Sequence, residues 1–145
     1  MVPVKARVNA WTARLRQQGR RVTAARLAVF EALIQARRHP TADEIYRQVR
    51  QRLPSISRAT VYNTLDTLVE DREAGVLLEE SSGPARFDGK RERHDHFVCR
   101  RCGRIEDFHA PALDCFLAPC GVGRVDSHSV TFRGVCRRCD TTLRR

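Results

Sequence analysis

Two kinds of metal-ligating side chain crowd the stretch from His94 to Asp107: a His-x-His pair at His94 and His96, a Cys-x-x-Cys pair at Cys99 and Cys102, and carboxylates at either end. A second Cys-x-x-Cys pair stands far downstream at Cys136 and Cys139. Four thiolates are the donor set of a closed, tetrahedral zinc site, and two such turns facing each other complete the shell without strain. Gly103, directly after Cys102, suits the tight turn. Free cysteine is often ordinary core, but the same spacing twice over favours structural Zn2+. His94 and His96 belong to a different chemistry. Side chains alternate along an extended segment, so these two imidazoles share a face and Asp95 points the other way. Nitrogen and carboxylate donors without sulfur suit iron(II), manganese(II) or zinc, and coordination above four favours Fe2+ or Mn2+.

The chain that must position these groups has 145 residues, enough for one or two small domains with a modest core. Six cysteines are too few for a disulfide scaffold. Nothing at the N-terminus resembles a secretion signal and no apolar run is long enough to span a bilayer, so a reducing cytoplasm without membrane attachment is the expected setting. The net charge of +10 is uneven: residues 1–58 hold 13 Lys or Arg against 3 acids, and residues 59–145 hold 14 against 14. A basic N-terminal segment points to a polyanion such as double-stranded DNA, with a solvated helix face as the plain alternative.

Along the chain, Val8, Trp11 and Leu15 give a basic amphipathic helix from about Val4 to Gln18, ended by Gly19. Thr23 caps a second helix reaching Ala36, with Val22 and Leu27 as a hydrophobic staple and Leu27, Phe30, Leu33 and Ile34 as its apolar stripe. Thr41-Ala42-Asp43-Glu44 has capping-box form and opens a third helix, with Ile45, Val49 and Leu53 facing a core. Ser57 caps a fourth, which buries Val61, Leu65 and Leu68 and turns a polar side outward.

A helix, a short turn and a second capped helix with a polar outer face match the helix-turn-helix plan, in which the N-terminal residues of the second helix meet base edges. Arg58, Thr60, Tyr62 and Asn63 are the expected readers, because arginine forks onto guanine, asparagine onto adenine, and Thr and Tyr reach thymine methyls or phosphates. Arg21, from the basic segment, is assigned with them to DNA binding. Strands at Val76-Leu77-Leu78 and Ala85-Arg86-Phe87 around a Ser81-Ser82-Gly83-Pro84 turn add a wing. The resulting fold is α+β: a winged helix-turn-helix domain over residues 1–87, a polar hinge over 88–93, and a small metal-binding domain over 94–145. In the last domain, strands are expected at Phe97–Cys99, Arg104–Phe108 and Val125–Phe132.

The run Arg58-Ala59-Thr60-Val61-Tyr62-Asn63-Thr64-Leu65, then His94-x-His96-x-x-Cys99-x-x-Cys102-Gly103, then Cys136-x-x-Cys139, resembles the ferric uptake regulator superfamily over roughly residues 10–140. That resemblance implies a homodimeric, metal-regulated repressor with an α/β dimerisation domain at its C-terminus. The pattern is most similar to the peroxide-sensing branch, in which three histidines and two aspartates hold the regulatory ion. Carried onto this chain they are His39, Asp88, His94, His96 and Asp107; the iron-sensing relatives usually place Glu where Asp107 stands. The resemblance further implies that the ion holds two recognition helices against an inverted-repeat operator, and that peroxide reacting at an iron-loaded site oxidises His39 or His94 and releases the DNA.

Two features depart from the family pattern. The Cys102–Cys136 span is short and broken by Pro119 and Gly121-Val122-Gly123, and Cys115 and Cys120 are extra thiols with no place in a filled tetrahedron. No third metal site is assigned to His128. An iron, manganese or zinc uptake regulator of the same superfamily, without peroxide sensing, is the alternative. A zinc deaminase is disfavoured, since His94-Asp95-His96 lacks the required Glu and Pro119-Cys120 lacks a second cysteine two residues on. Four knuckle thiols leave zinc no open position for water, and no small organic substrate is expected. A bare zinc-ribbon module would leave the capped helix pair unexplained.

Overall fold

In a computed structural model, which describes residues 3–77, 83–90, 92, 94–109 and 130–140, three of the first four helices start at a hydroxyl. Helix α1 (Val4–Gln17) follows Pro3 and has no side-chain cap. Helix α2 (Ala24–Gln35) starts where Thr23 Oγ1 accepts the Arg26 amide at 3.2 Å. Helix α3 (Ala42–Arg50) starts with a complete capping box, the Thr41 amide donating to Glu44 Oε2 at 2.8 Å and the Glu44 amide to Thr41 Oγ1 at 3.2 Å. Helix α4 (Arg58–Glu70) starts where Ser57 Oγ accepts the Thr60 amide at 3.1 Å. Each cap satisfies a first-turn N–H that the helix itself cannot pair. Gly19, at φ +67°, ends α1 in the left-handed turn that glycine tolerates.

The helices bury a common core in which Trp11, Phe30, Ile45, Val61, Leu65 and Leu68 lose all solvent contact. Trp11 meets Phe30 edge-on at 5.0 Å between centroids. Strands β1 (Gly75–Leu77) and β2 (Arg86–Asp88) pair antiparallel, with Val76 opposite Phe87. The strand takes in Asp88, the first residue of the expected hinge, because Asp88 pairs across to Gly75. Leu78, Ser81 and Ser82 of the expected wing lie outside the described residues.

The basic surplus of the N-terminal segment is smaller in the fold than in the count. Arg7 is buried and donates from Nη2 to the Glu73 carbonyl at 3.0 Å and to Glu73 Oε2 at 3.3 Å. Arg14 also pairs with Glu73, and Arg20 with Asp71 at 3.0 Å. Trp11 Nε1 donates to Asp71 Oδ2 at 2.7 Å. These contacts fasten α1 to the C-terminal end of α4 through acids that lie beyond residue 58.

The chain divides into two compact units, residues 1–91 and 92–145. In the second, β3 (Asp95–Cys99) is central, flanked by antiparallel β4 (Ile105–Phe108) and parallel β5 (Thr131–Gly134). The strand expected from Val125 shows only its end, since residues 110–129, with Asp114, Cys115, Cys120 and His128, lie outside the described residues. No helix among the described residues is long and apolar enough to cross a membrane.

Candidate metal centres and nucleic-acid interface

The two Cys-x-x-Cys turns come together at one end of the three-stranded sheet. The first follows β3 and is closed by Gly103, at φ +65°, whose amide donates to the Cys99 carbonyl at 2.9 Å. The second follows β5. All four sulfurs, of Cys99, Cys102, Cys136 and Cys139, lie within 4.8 Å of one another, and Cys102 Sγ is 3.8 Å from Cys136 Sγ. A tetrahedron with Zn–S bonds of about 2.3 Å has sulfur–sulfur edges of about 3.8 Å, so the spacing already fits such an ion.

The four thiols are electrostatically unequal. The Cys136 amide, donating to Cys99 Sγ at 3.3 Å, holds the Cys99 thiol down to about 6. Hydrogen bonding with the Cys102 thiol, and next with that of Cys136, pushes Cys139 up to about 12. Four thiolates at this spacing need a cation to take up their charge.

The harder donors fall into two groups, one in each unit. In the second unit the register sets Asp107 directly opposite His96, so both side chains leave one face of the sheet. The Nε2 atoms of His94 and His96 each lie 3.9 Å from Asp107 Oδ1, and the two rings meet edge-on at 4.6 Å between centroids. Asp95 goes to the other side as alternation requires, its Oδ1 accepting the Val130 amide at 3.2 Å. His94 Nδ1 is 2.7 Å from the Glu92 carbonyl, so Nε2 is the ring nitrogen that faces Asp107.

In the first unit, His39 is buried and its Nε2 lies 3.9 Å from Asp88 Oδ1. The loop carrying His39 is stitched down on both sides. The Phe87 amide donates to the Pro40 carbonyl at 2.9 Å, and Arg86 Nη1 donates to the His39 carbonyl at 2.9 Å while standing 3.6 Å from Glu44. Arg86 was not legible as part of this site. Its partners are 42 and 47 positions away, and no local pattern marks such a pairing. Each group by itself offers nitrogen and oxygen donors without sulfur, the kind that suit a hard divalent ion.

The proposed readers occupy the solvent side of α4. Tyr62 is 47% exposed, and Arg58 and Asn63 are exposed beside it. Thr60 is half-buried, and its hydroxyl is shared with Ser57 Oγ at 2.8 Å. Arg58 pairs with Asp43 of α3 and lies over the Tyr46 ring at 4.7 Å. Asp43, which the sequence pattern recorded only as a capping acid, is thus a neighbour of the expected readers. Arg21 is exposed, and its carbonyl accepts Arg26 Nη1 at 2.7 Å.

With this geometry in view, the comparisons converge. The ferric uptake regulator family model matches residues 17–118. The peroxide operon regulator of Bacillus subtilis (strain 168) is 41% identical over 130 residues, spanning 86% of this chain and 88% of that protein. Among solved structures, the peroxide sensor PerR of Streptococcus pyogenes is 29% identical with a TM-score of 0.54, over 92% of each chain. The Helicobacter pylori ferric uptake regulator shares the fold, with a TM-score of 0.82 at 24% identity over 95% of this chain and 94% of that one. The chain belongs to the ferric uptake regulator family of metal-dependent transcription regulators.

Proposed function

We propose that this protein is a peroxide-responsive repressor that binds an inverted-repeat operator as a homodimer when Fe2+ or Mn2+ fills a site made of His39, Asp88, His94, His96 and Asp107. Residues 1–87 act as the reading domain, 88–93 as the hinge and 94–145 as the dimerisation domain, in a cytoplasmic setting. The observation that carries this reading is the division of the hard donors. His39 and Asp88 sit on the unit that holds the helix-turn-helix, and His94, His96 and Asp107 on the other. One ion taking ligands from both groups favours a single arrangement of the units over all others, and so favours the state in which two copies of α4 match two half-sites. Zn2+ at Cys99, Cys102, Cys136 and Cys139 is the structural ion in this reading; its closed shell keeps the knuckles folded and takes no part in sensing.

The residues divide the work of binding DNA. Arg21 and the N-terminal arginines left unpaired by acids supply salt-sensitive attraction to phosphates. Arg58, Thr60, Tyr62 and Asn63 choose the sequence. Iron(II), held by these donors, would activate hydrogen peroxide, itself the two-electron oxidant: one peroxide oxygen would insert into a ring C–H bond of His39 or His94 as the O–O bond breaks, and the other would leave as water. His94, with a side chain 13% exposed against 5% for His96, is the more open of the sheet's two imidazoles. An oxidised ring is a poorer donor, and the preference for the DNA-binding arrangement is lost.

Peptide mass spectrometry on iron-loaded protein after peroxide tests this directly. A gain of one oxygen on His39 or His94, in step with loss of operator binding and absent from manganese-loaded protein, is the expected result. Unmodified histidines alongside lost DNA binding contradict it. Operator binding that follows only iron, manganese or zinc supply and ignores peroxide makes the protein a metal-uptake regulator instead.

A further inference from the structure

Over residues 59–145 basic and acidic side chains balance at 14 each, yet along the sheet of the second unit they separate. Because β4 runs antiparallel and β5 parallel to β3, one end of the sheet gathers Asp95, His96 and Asp107, and the other gathers Val98, Cys99, Ile105 and Arg133. Both knuckles extend from the second end. The Arg100 amide donates to the Gly134 carbonyl at 2.8 Å, and Arg101 Nη1 donates to the Cys139 carbonyl at 2.6 Å. Arg100, Arg101, Arg104, Arg133, Arg137 and Arg138 therefore meet at this end, and all six are exposed. Among the described residues, the acids beside them are Glu106, 2.9 Å from Arg104, and Asp140. The outermost residues of the two ends, Asp95 and Cys99, stand four strand positions apart, roughly 13 Å. That exceeds a Debye length of about 8 Å in physiological salt, so a charged partner meets each end separately.

Part of this charge has a local use. Four thiolates around a divalent ion carry two net negative charges, which two guanidinium groups balance. Among the described residues, six arginines against Glu106, Asp140 and those two charges leave a net positive count, carried on exposed side chains while Cys99 and Cys136 are buried.

We infer that the arginine-bearing knuckle end of the second unit is a further nucleic-acid contact, holding the phosphates of duplex DNA in addition to whatever α4 reads. All six cations are arginine, and the described residues of this unit contain no lysine. The planar guanidinium fork matches two phosphate oxygens, where lysine offers only a point charge. A membrane surface would want an apolar anchor beside the charge; the exposed aromatic here, Phe132, instead packs its ring 5.3 Å from that of Phe108. Duplex DNA is also the polyanion that the first unit already brings close, which raises its effective concentration at the knuckles. The inference rests on the reading of the protein as DNA-binding, and not on which residues of α4 touch bases.

The test uses full-length, zinc-loaded protein and a random-sequence duplex of about 30 base pairs, with affinity measured across potassium chloride concentrations. Each phosphate contact adds roughly 0.9 to the slope of log affinity against log salt. The variant R100Q/R101Q/R137Q/R138Q is expected to lose a slope of about 2, which is roughly a 16-fold smaller affinity change between 50 and 200 mM salt. Zinc content and circular dichroism check its fold. R104Q/R133Q, which leaves both Cys-x-x-Cys turns intact, is expected to move the slope in the same direction and stands in where the fourfold variant loses zinc.

An unchanged slope in both variants overturns the inference. So does arginine-dependent binding to phosphatidylserine vesicles or poly-glutamate with the duplex slope unaltered, which assigns the surface to a lipid or an acidic protein. Asn63→Ala, run in parallel, separates the two readings: it should lower the ratio of affinities for an operator recovered by selection and for random duplex, a ratio the knuckle variants should leave unchanged. A wild-type protein that binds no duplex at all overturns both.

Discussion

Glu73→Gln should be among the most damaging single changes outside the metal sites. The Glu73 side chain is 1% exposed and that of Arg7 8%, so the pair is fully inside, whereas Arg14 at 39% is largely screened by water. Neutralising Glu73 leaves the Arg7 guanidinium buried with no anion among its described partners: the Glu73 carbonyl at 3.0 Å, that of Gly89, and the Phe30 ring at 5.4 Å to its centroid. Breaking a buried pair from one side typically costs about 3–5 kcal/mol, because the surviving charge is uncompensated. Discounting Arg14 for screening, the low end of about 3 kcal/mol applies here. In a unit of 91 residues this lowers the melting temperature by about 12 °C or more. The single tryptophan, Trp11, is wholly buried in the same unit, so urea unfolding followed by its fluorescence reports the loss directly. Replacing both partners with methionine should recover much of the stability, since no charge is then stranded. A loss below about 1 kcal/mol for Glu73→Gln, or a double variant worse than the single one, refutes the reasoning.

Other changes follow from the same geometry. Gly89→Ala places a Cβ 2.8 Å from the backbone carbonyl of Leu33, and the forced shift should cost about 1–3 kcal/mol in the tryptophan-monitored assay. Arg72 sits at φ 56° just past the end of α4, and Arg72→Gly should raise stability by up to about 1 kcal/mol. Cys102→Ser removes one sulfur from a cluster whose members lie within 4.8 Å of one another; zinc measured by plasma emission should fall well below one per chain. Asn63→Ala should weaken operator binding by about 1–3 kcal/mol in fluorescence anisotropy while random duplex is bound as before.

The parts of this structure that could be read from sequence are those fixed by neighbours in the chain. Thr23, Thr41 and Ser57 could be identified as caps because an N-cap bonds an amide two or three positions away. Val61, Leu65 and Leu68 could be placed in the core by helical period alone. The sulfur cluster was legible because each half is a local turn and the halves share a spacing. His94 and His96 shared a face by strand alternation, but Asp107 joins them only through the β3–β4 register, which sequence leaves open. Charge was the poorest guide. Counting by segment assigned Arg7, Arg14 and Arg20 to a polyanion-facing surplus, whereas they pair with Glu73 and Asp71 more than fifty positions on. The same counting concealed the arginines at the knuckles, because a balanced total over 87 residues says nothing of where along a sheet each sign lies.

The claim on which the account turns is that one ion draws ligands from both units. Manganese titration of zinc-loaded protein by calorimetry, comparing wild type with His39→Ala, tests it most directly. If His39 is a ligand, its removal should weaken manganese binding by about 10-fold or more, in the range of a lost metal-site contact, and abolish manganese-dependent operator binding with zinc content unchanged. An unaltered manganese affinity in His39→Ala would mean that His94, His96 and Asp107 hold the ion without help from the first unit, and the proposed coupling of metal to DNA would be wrong.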